Sequence, residues 1–149
     1  MKQNISPRET ALKILYNIEE KQAYTNIELK KFLANTDYKT IDRGLITELV
    51  YGIIKHKLTL DYIINKFSNV KMKKISPWIL NILRLGVYQI FYLDKIPDSA
   101  ACNESVKLAK RYGHPGSIKF VNGLLRTISR EKKNIVFPDP KTQPAKYLE

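Results

Sequence analysis

The chain has 149 residues, one domain's worth and enough to bury a core without disulfide or metal staples. A hydrophobic content of 44% excludes wholesale disorder, and a single cysteine, Cys102, excludes intrachain disulfides and cysteine-based metal sites. The net charge of +12, from 26 Lys and Arg against 14 Asp and Glu, points to a polyanionic partner, nucleic acid ahead of an anionic membrane surface. A merely solvated, lysine-rich exterior is the competing explanation.

From the N-terminus, helix signals recur and strand alternation is nearly absent. Met1 to Leu15 lacks a continuous apolar signal core. Instead Ser6-Pro7-Arg8-Glu9 opens a helix: Ser caps, Pro takes the first helical position, and Glu follows at the third. Ala11, Leu12, Leu15 and Ile18 then form its apolar stripe. Thr25-Asn26-Ile27-Glu28 repeats the capping logic and predicts a short helix to about Leu33. A third helix is expected from about Thr40 to Lys57, with Ile41, Leu45, Leu49 and Ile53 on a wide apolar face. Thr59 restarts a segment to Phe67, and Val70 to Lys74 reads as a lysine-rich loop.

Ser76-Pro77-Trp78 starts the next helix by the device used at Ser6-Pro7. Apolar residues all around the axis from Trp78 to Leu93 predict a central, largely buried helix. Arg84 and Gln89 are its polar exceptions; with Asp94 they break every apolar run that could span a bilayer. Ile96-Pro97-Asp98-Ser99 ends that helix and caps another, whose small residues Ala100, Ala101, Cys102, Ser105 and Ala109 permit close packing. Gly113, Pro115 and Gly116 break it, and Ser117 is expected to cap the last helix. After Lys133 the prolines multiply, so 134–149 reads as an extended linker following a folded region at 1–133. The expectation is an all-α bundle of six or seven helices with a C-terminal tail, in a cytoplasmic protein.

Enzyme motifs are absent. No glycine-rich phosphate loop follows a strand, and no GxSxG, HExxH or metal-ligand cluster occurs. His56 and His114 stand far apart without acidic residues at ligand spacing. Cys102, amid small residues, reads as a packing element rather than a nucleophile. Glu48 reads as a lone carboxylate paired with a cation or a buried polar group, Asp61 as a helix-start residue and Tyr62 as core. His56, between Lys55 and Lys57, reads as a surface or RNA-contact residue. The chain itself holds no cofactor site.

What remains is binding chemistry, concentrated in the last helix. Ile118, Val121, Leu124, Leu125 and Ile128 fall on one face at 100° per residue. Lys119, Asn122, Arg126 and Arg130 share the opposite stripe, with no acidic residue before Glu131. Asn122 and Gly123 sit mid-helix where propensity disfavours both, which speaks for a task other than helix formation. An ordinary amphipathic surface helix is the bland alternative. Outside this stripe the candidate cations for binding are Arg8, Lys55, Lys57, Lys110 and Arg111, since Arg offers a planar fork to phosphate and base edges and Lys a point charge.

Three stretches carry a resemblance: ELVYGIIKHKLTLDYII from Glu48, ILRLGVYQIFYLDKIPDSAACNESVKLAKRYG from Ile82, and KFVNGLLRTISRE from Lys119. Together they resemble the NusB-like domain, over about residues 5–133. The resemblance implies an all-helical RNA-binding fold. Free-standing NusB factors usually begin with an arginine cluster and carry an acidic residue after the leucine that ends the Val-Asn-Gly motif. Here Arg8 stands alone and Arg126 follows Leu125. Both departures favour the N-terminal domain of the RsmB (Sun/Fmu) type of ribosomal RNA cytosine-5 methyltransferase. Pro138, Pro144 and Ala145–Glu149 look like the join into its catalytic part.

The resemblance implies S-adenosylmethionine and paired cysteines in that missing part. It implies RNA, ribosomal in origin, as partner, with RNA contacts at Arg8, Lys119, Asn122 and Arg126 and secondarily at Lys55 and Arg130. Asn122 is equally readable as a tie between helices. Other readings stay open: a free antitermination factor that binds leader RNA with a ribosomal protein, a protein-interaction scaffold docked on the catalytic domain, and a homodimer.

Overall fold

A computed structural model describes residues 5–137; the expectations placed on Met1–Asn4, Pro138, Pro144 and Ala145–Glu149 lie outside the described residues. Seven α-helices and two 3₁₀ turns account for the regular structure, and no strand occurs among the described residues. The helices gather in two compact units, Met1–Lys55 and His56–Glu149.

The N-terminal unit holds α1 (Pro7–Glu20), α2 (Thr25–Ala34) and α3 (Thr40–Lys55). Ser6 caps α1 as expected, its Oγ accepting from the Glu9 N–H at 3.1 Å. The α2 start differs: Tyr24 takes the cap position without a side-chain bond, and Thr25 is already helical. In α3 the core face is Ile46, Leu49, Val50 and Ile53, turned against α1. Ile41, expected in that face, is 85% exposed, because the face begins a turn later than the periodicity suggested. Tyr38 ties the unit together: its hydroxyl donates to the Ile5 carbonyl and meets Thr10 Oγ1 at 2.6 Å.

The C-terminal unit holds α4 (Lys57–Phe67), α5 (Pro77–Tyr92), α6 (Asp98–Tyr112) and α7 (Pro115–Glu131), with 3₁₀ turns at Met72–Lys74 and Lys132–Asn134. His56 separates α3 from α4, so the third helix stops at Lys55 and not Lys57. The helix α5 is buried nearly all round and packs against α4, α6 and α7. Gly86 permits this: a Cβ there would lie 2.6 Å from Leu125 Cδ1 on α7 and 2.9 Å from Ser105 Oγ on α6. Arg84 crosses to Asp61 on α4 as a fork, Nε to Oδ1 at 2.7 Å and Nη2 to Oδ2 at 3.0 Å. Its remaining nitrogen donates to Asn81 Oδ1 at 3.2 Å, which satisfies the buried guanidinium. Asp61, read from sequence as a helix-start residue, is therefore the partner of that charge.

The packed chain continues beyond Lys133. Ile135 is buried, Phe137 meets Phe91 edge-on at 5.9 Å, and Tyr62 donates to the Val136 carbonyl at 3.4 Å. Lys132 Nζ donates to the Ile90 carbonyl at 2.6 Å, where a cation suits the end of α5. Among the described residues no helix is long and apolar enough to cross a membrane.

Candidate nucleic-acid interface

The helix α7 is built as the periodicity required. Val121, Leu124, Leu125 and Ile128 are buried, with Ser117 in place of the half-buried Ile118. Its N-cap is His114, not Ser117. His114 Nδ1 accepts from the Gly116 N–H at 3.1 Å, and Ser117 Oγ accepts from the His114 N–H at 3.3 Å, a reciprocal box with a histidine in the usual Ser or Thr place. Gly113 is required beside it, since a Cβ would come within 2.6 Å of Ser117 Cβ.

On the outer face Lys119, Asn122 and Arg130 are exposed and Arg126 is half-buried. All four lie on one helix, within about 80° around its axis and about 16 Å along it. Arg126 Nε donates to Asn122 Oδ1 at 3.2 Å and its Nη2 to Asn103 Oδ1 on α6 at 2.8 Å. Arg130 Nη2 donates to Thr127 Oγ1 at 3.2 Å. These partners are neutral, so they aim the guanidinium groups without cancelling their charge. Asn122 thus has a defined task in orienting Arg126. Gly123 is exposed, and a Cβ there would meet nothing within 4 Å, so packing does not require it. The nearby carboxylates are engaged elsewhere: Asp98 accepts from Ser129 at 2.7 Å, and Glu104 pairs with Lys107 at 3.5 Å.

The same unit carries a groove that sequence reasoning missed. It is lined by Lys74, Ser76, Tyr112, His114 and Phe120, with a volume of about 580 Å³. Tyr112 stacks on Trp78 at 4.5 Å, which fixes one aromatic wall. The lysine run at 71–74 was the available signal; the groove itself arises because the α6–α7 break and the start of α5 are brought together only by the fold. His56, between two lysines in sequence, stacks on Tyr92 at 4.4 Å. Cys102 is fully buried, and burial raises its thiol pKa, with Asp98 adding to the shift and Arg126 opposing it.

The N-terminal unit holds the other two candidates. Arg8 lies in the first turn of α1, half-buried and already engaged with a partner. Lys55 is exposed at the last turn of α3, where a cation also suits the helix dipole. Glu48, read from sequence as paired with a cation or a buried polar group, is exposed and lines a surface cleft together with Arg43.

Helices packed round a buried central helix, one of them carrying an uncancelled cationic row, define a helical bundle of nucleic-acid-binding type. The chain belongs to the NusB family, whose model matches residues 5–130. It is 48% identical, over 85% of its length, to the probable ribosomal RNA small subunit methyltransferase B of Bacillus subtilis. It is 37% identical over 83% of its length to the transcription antitermination protein NusB of Ruminiclostridium cellulolyticum, covering 86% of that protein. The chain spans under a third of the methyltransferase relatives it matches, 28% and 30% of two of them. Among solved structures it resembles a NusB in a complex of NusB and NusE with double-stranded RNA. The TM-score is 0.76 at 26% identity, covering 84% of this chain and 94% of that one.

Proposed function

We propose that this chain is the NusB-type RNA-binding domain of a ribosomal RNA cytosine-5 methyltransferase, and that α7 grips the RNA backbone. The observation that carries this is the row Lys119, Arg126 and Arg130, in which Lys119 is exposed and the two guanidinium groups are held by amide and hydroxyl partners and not by carboxylates. Such a row keeps its full charge for phosphate, while Asn122 and Asn103 orient the Arg126 fork. The groove at Lys74, Tyr112 and Phe120 adds an aromatic wall and a cation suited to an unpaired base and its phosphate. Higher identity to methyltransferase B than to NusB factors, and Arg126 directly after Leu125, support the methyltransferase over the free factor.

Methyl transfer is assigned to the rest of that longer protein. Cys102, sealed in the core, is not available here as a nucleophile. The domain's contribution is then to hold substrate near a tethered active site, raising its local concentration. A second reading, a free antitermination factor, is favoured by one observation: the chain covers 86% of a NusB factor's whole length. The reading frame after Glu149 separates the two, since a Gly-rich cofactor loop with paired cysteines fits only the enzyme.

The direct test is the charge-reversed pair Lys119→Glu with Arg126→Glu, titrated with ribosomal RNA fragments at low salt. Affinity is expected to fall at least about tenfold, because each reversal turns attraction into repulsion within a Debye length. Unchanged affinity in a variant that melts like the parent would overturn the assignment of RNA to α7.

A further inference from the structure

In the N-terminal unit a cavity of about 230 Å³ opens between α1 and α2. Lys13 on α1 and Lys31 on α2 both line it, Lys13 half-buried and Lys31 exposed. No acidic residue is in its wall, and among the described residues neither ammonium has a carboxylate within hydrogen-bond or ion-pair distance. The acidic residues of the two helices' inner sides are spoken for: Glu28 accepts from Asn17 Nδ2 at 3.4 Å, and Glu9 has its own partner. Two lysines from different helices on the wall of one cavity, with no carboxylate beside them, favour an anion there. The rest of the wall is mixed. Ile5 and Phe32 are apolar. Asn35 spends one amide hydrogen on the Lys31 carbonyl at 3.1 Å, which leaves a second. Thr36 donates to the Leu33 carbonyl at the end of α2, and Thr10 is committed to Tyr38, so neither hydroxyl competes as a donor.

We propose that this cavity is a phosphoryl-binding pocket for the terminal 5′-phosphate of a nucleotide, with Lys13 and Lys31 supplying the charge and Ile5 and Phe32 the apolar wall. A terminal phosphate carries close to two negative charges and three acceptor oxygens, which matches two ammonium groups and one amide hydrogen better than an internal phosphodiester does. The volume lies below the roughly 300 Å³ at which pockets begin to enclose whole small molecules. It therefore takes the phosphate and the ring attached to it, while the remainder leaves through the mouth beside Lys31. Residues of the N-terminal unit alone line this pocket, so the proposal and the assignment of RNA to α7 are tested separately.

The test compares a 5′-phosphorylated trinucleotide with its 5′-hydroxyl counterpart on the full chain. The phosphorylated form is expected to bind about tenfold more tightly, the size of one retained charge-assisted hydrogen bond. A nucleoside 5′-monophosphate is expected to compete for that preference. If the monophosphate alone binds as well as the trinucleotide, the natural source is a free nucleotide; if the trinucleotide binds more tightly, it is an RNA end. Lys13→Gln with Lys31→Gln is expected to erase the preference while leaving the melting temperature in place. Lys119→Glu with Arg126→Glu is expected to keep it while weakening longer RNA. No preference in the parent, or one that survives in the Lys13→Gln and Lys31→Gln variant, overturns the proposal.

Discussion

At the scale of single residues, the polar groups in the core are the informative ones. Arg84 is 4% exposed and fully satisfied by Asp61 and Asn81. Sequence marked it as a polar exception on an apolar helix, but its partner was not legible, because Asp61 lies 23 residues away and only the α4–α5 packing brings the two together. Cys102 and Tyr38 show a different residue effect. Burial raises the pKa of both, so the folded chain holds their protons more tightly than the unfolded chain does. As pH rises, the unfolded state releases these protons first and binds fewer of them, so stability falls with pH. The contribution is whole at neutral pH and is lost as pH climbs past the ordinary thiol and phenol ranges toward the raised values. Chemical denaturation followed from pH 7 to 11 is expected to show this alkaline decline, and Cys102→Ala should remove its thiol part. The same shift predicts slow reaction of Cys102 with disulfide reagents under native conditions.

At the scale of helices, two glycines in element interiors have opposite meanings. Gly86 lets α5 approach Leu125 and Ser105. Gly86→Ala forces a methyl against a buried side chain and is expected to cost about 1–2 kcal/mol after its gain in helix propensity. Gly123 faces open space, so Gly123→Ala should stabilise by about 0.5–1 kcal/mol. Differential scanning calorimetry of both variants reads the two signs. From sequence the two looked alike, each a glycine within a helical stripe, since close approach depends on neighbours that a one-dimensional pattern does not contain. The caps divide in the same way. Ser6 and Ser76 accept from the N–H three residues on, as their Ser-Pro signatures required. Thr25 and Ser117 carried capping residue types too, but the chain starts those helices one and three residues earlier, at Thr25 after Tyr24 and at Pro115 after His114. A capping side chain is a local preference, and the packing of the apolar face decides where the first turn begins.

At the scale of the whole molecule, the charge of +12 is the property that any RNA measurement will meet first. It contributes sequence-independent attraction, and only a fraction of the cations need touch phosphate. Replacing Lys119 and Arg126 with Ala should lower the slope of log affinity against log salt by about 1.4 on single-stranded RNA, two contacts' worth. Replacing two exposed lysines outside α7, such as Lys30 and Lys66, should leave that slope almost unchanged. The all-helical class, the α7 row and the family were legible because each is written in local periodicity and motif. The cavity between α1 and α2 and the groove at Lys74 were not, since each is formed by residues from separate helices whose meeting is a property of topology.

The latch on α5 carries one more consequence. With Ile135 seated and Phe137 against Phe91, a polypeptide leaving this domain departs from a pinned point on the C-terminal unit, not from a loose end at residue 134. That shortens the leash of anything attached downstream by three residues, about 10 Å of extended chain. A shorter leash from a fixed origin confines its cargo to a smaller volume, so whatever RNA the bundle grips is presented to a narrower sweep of positions.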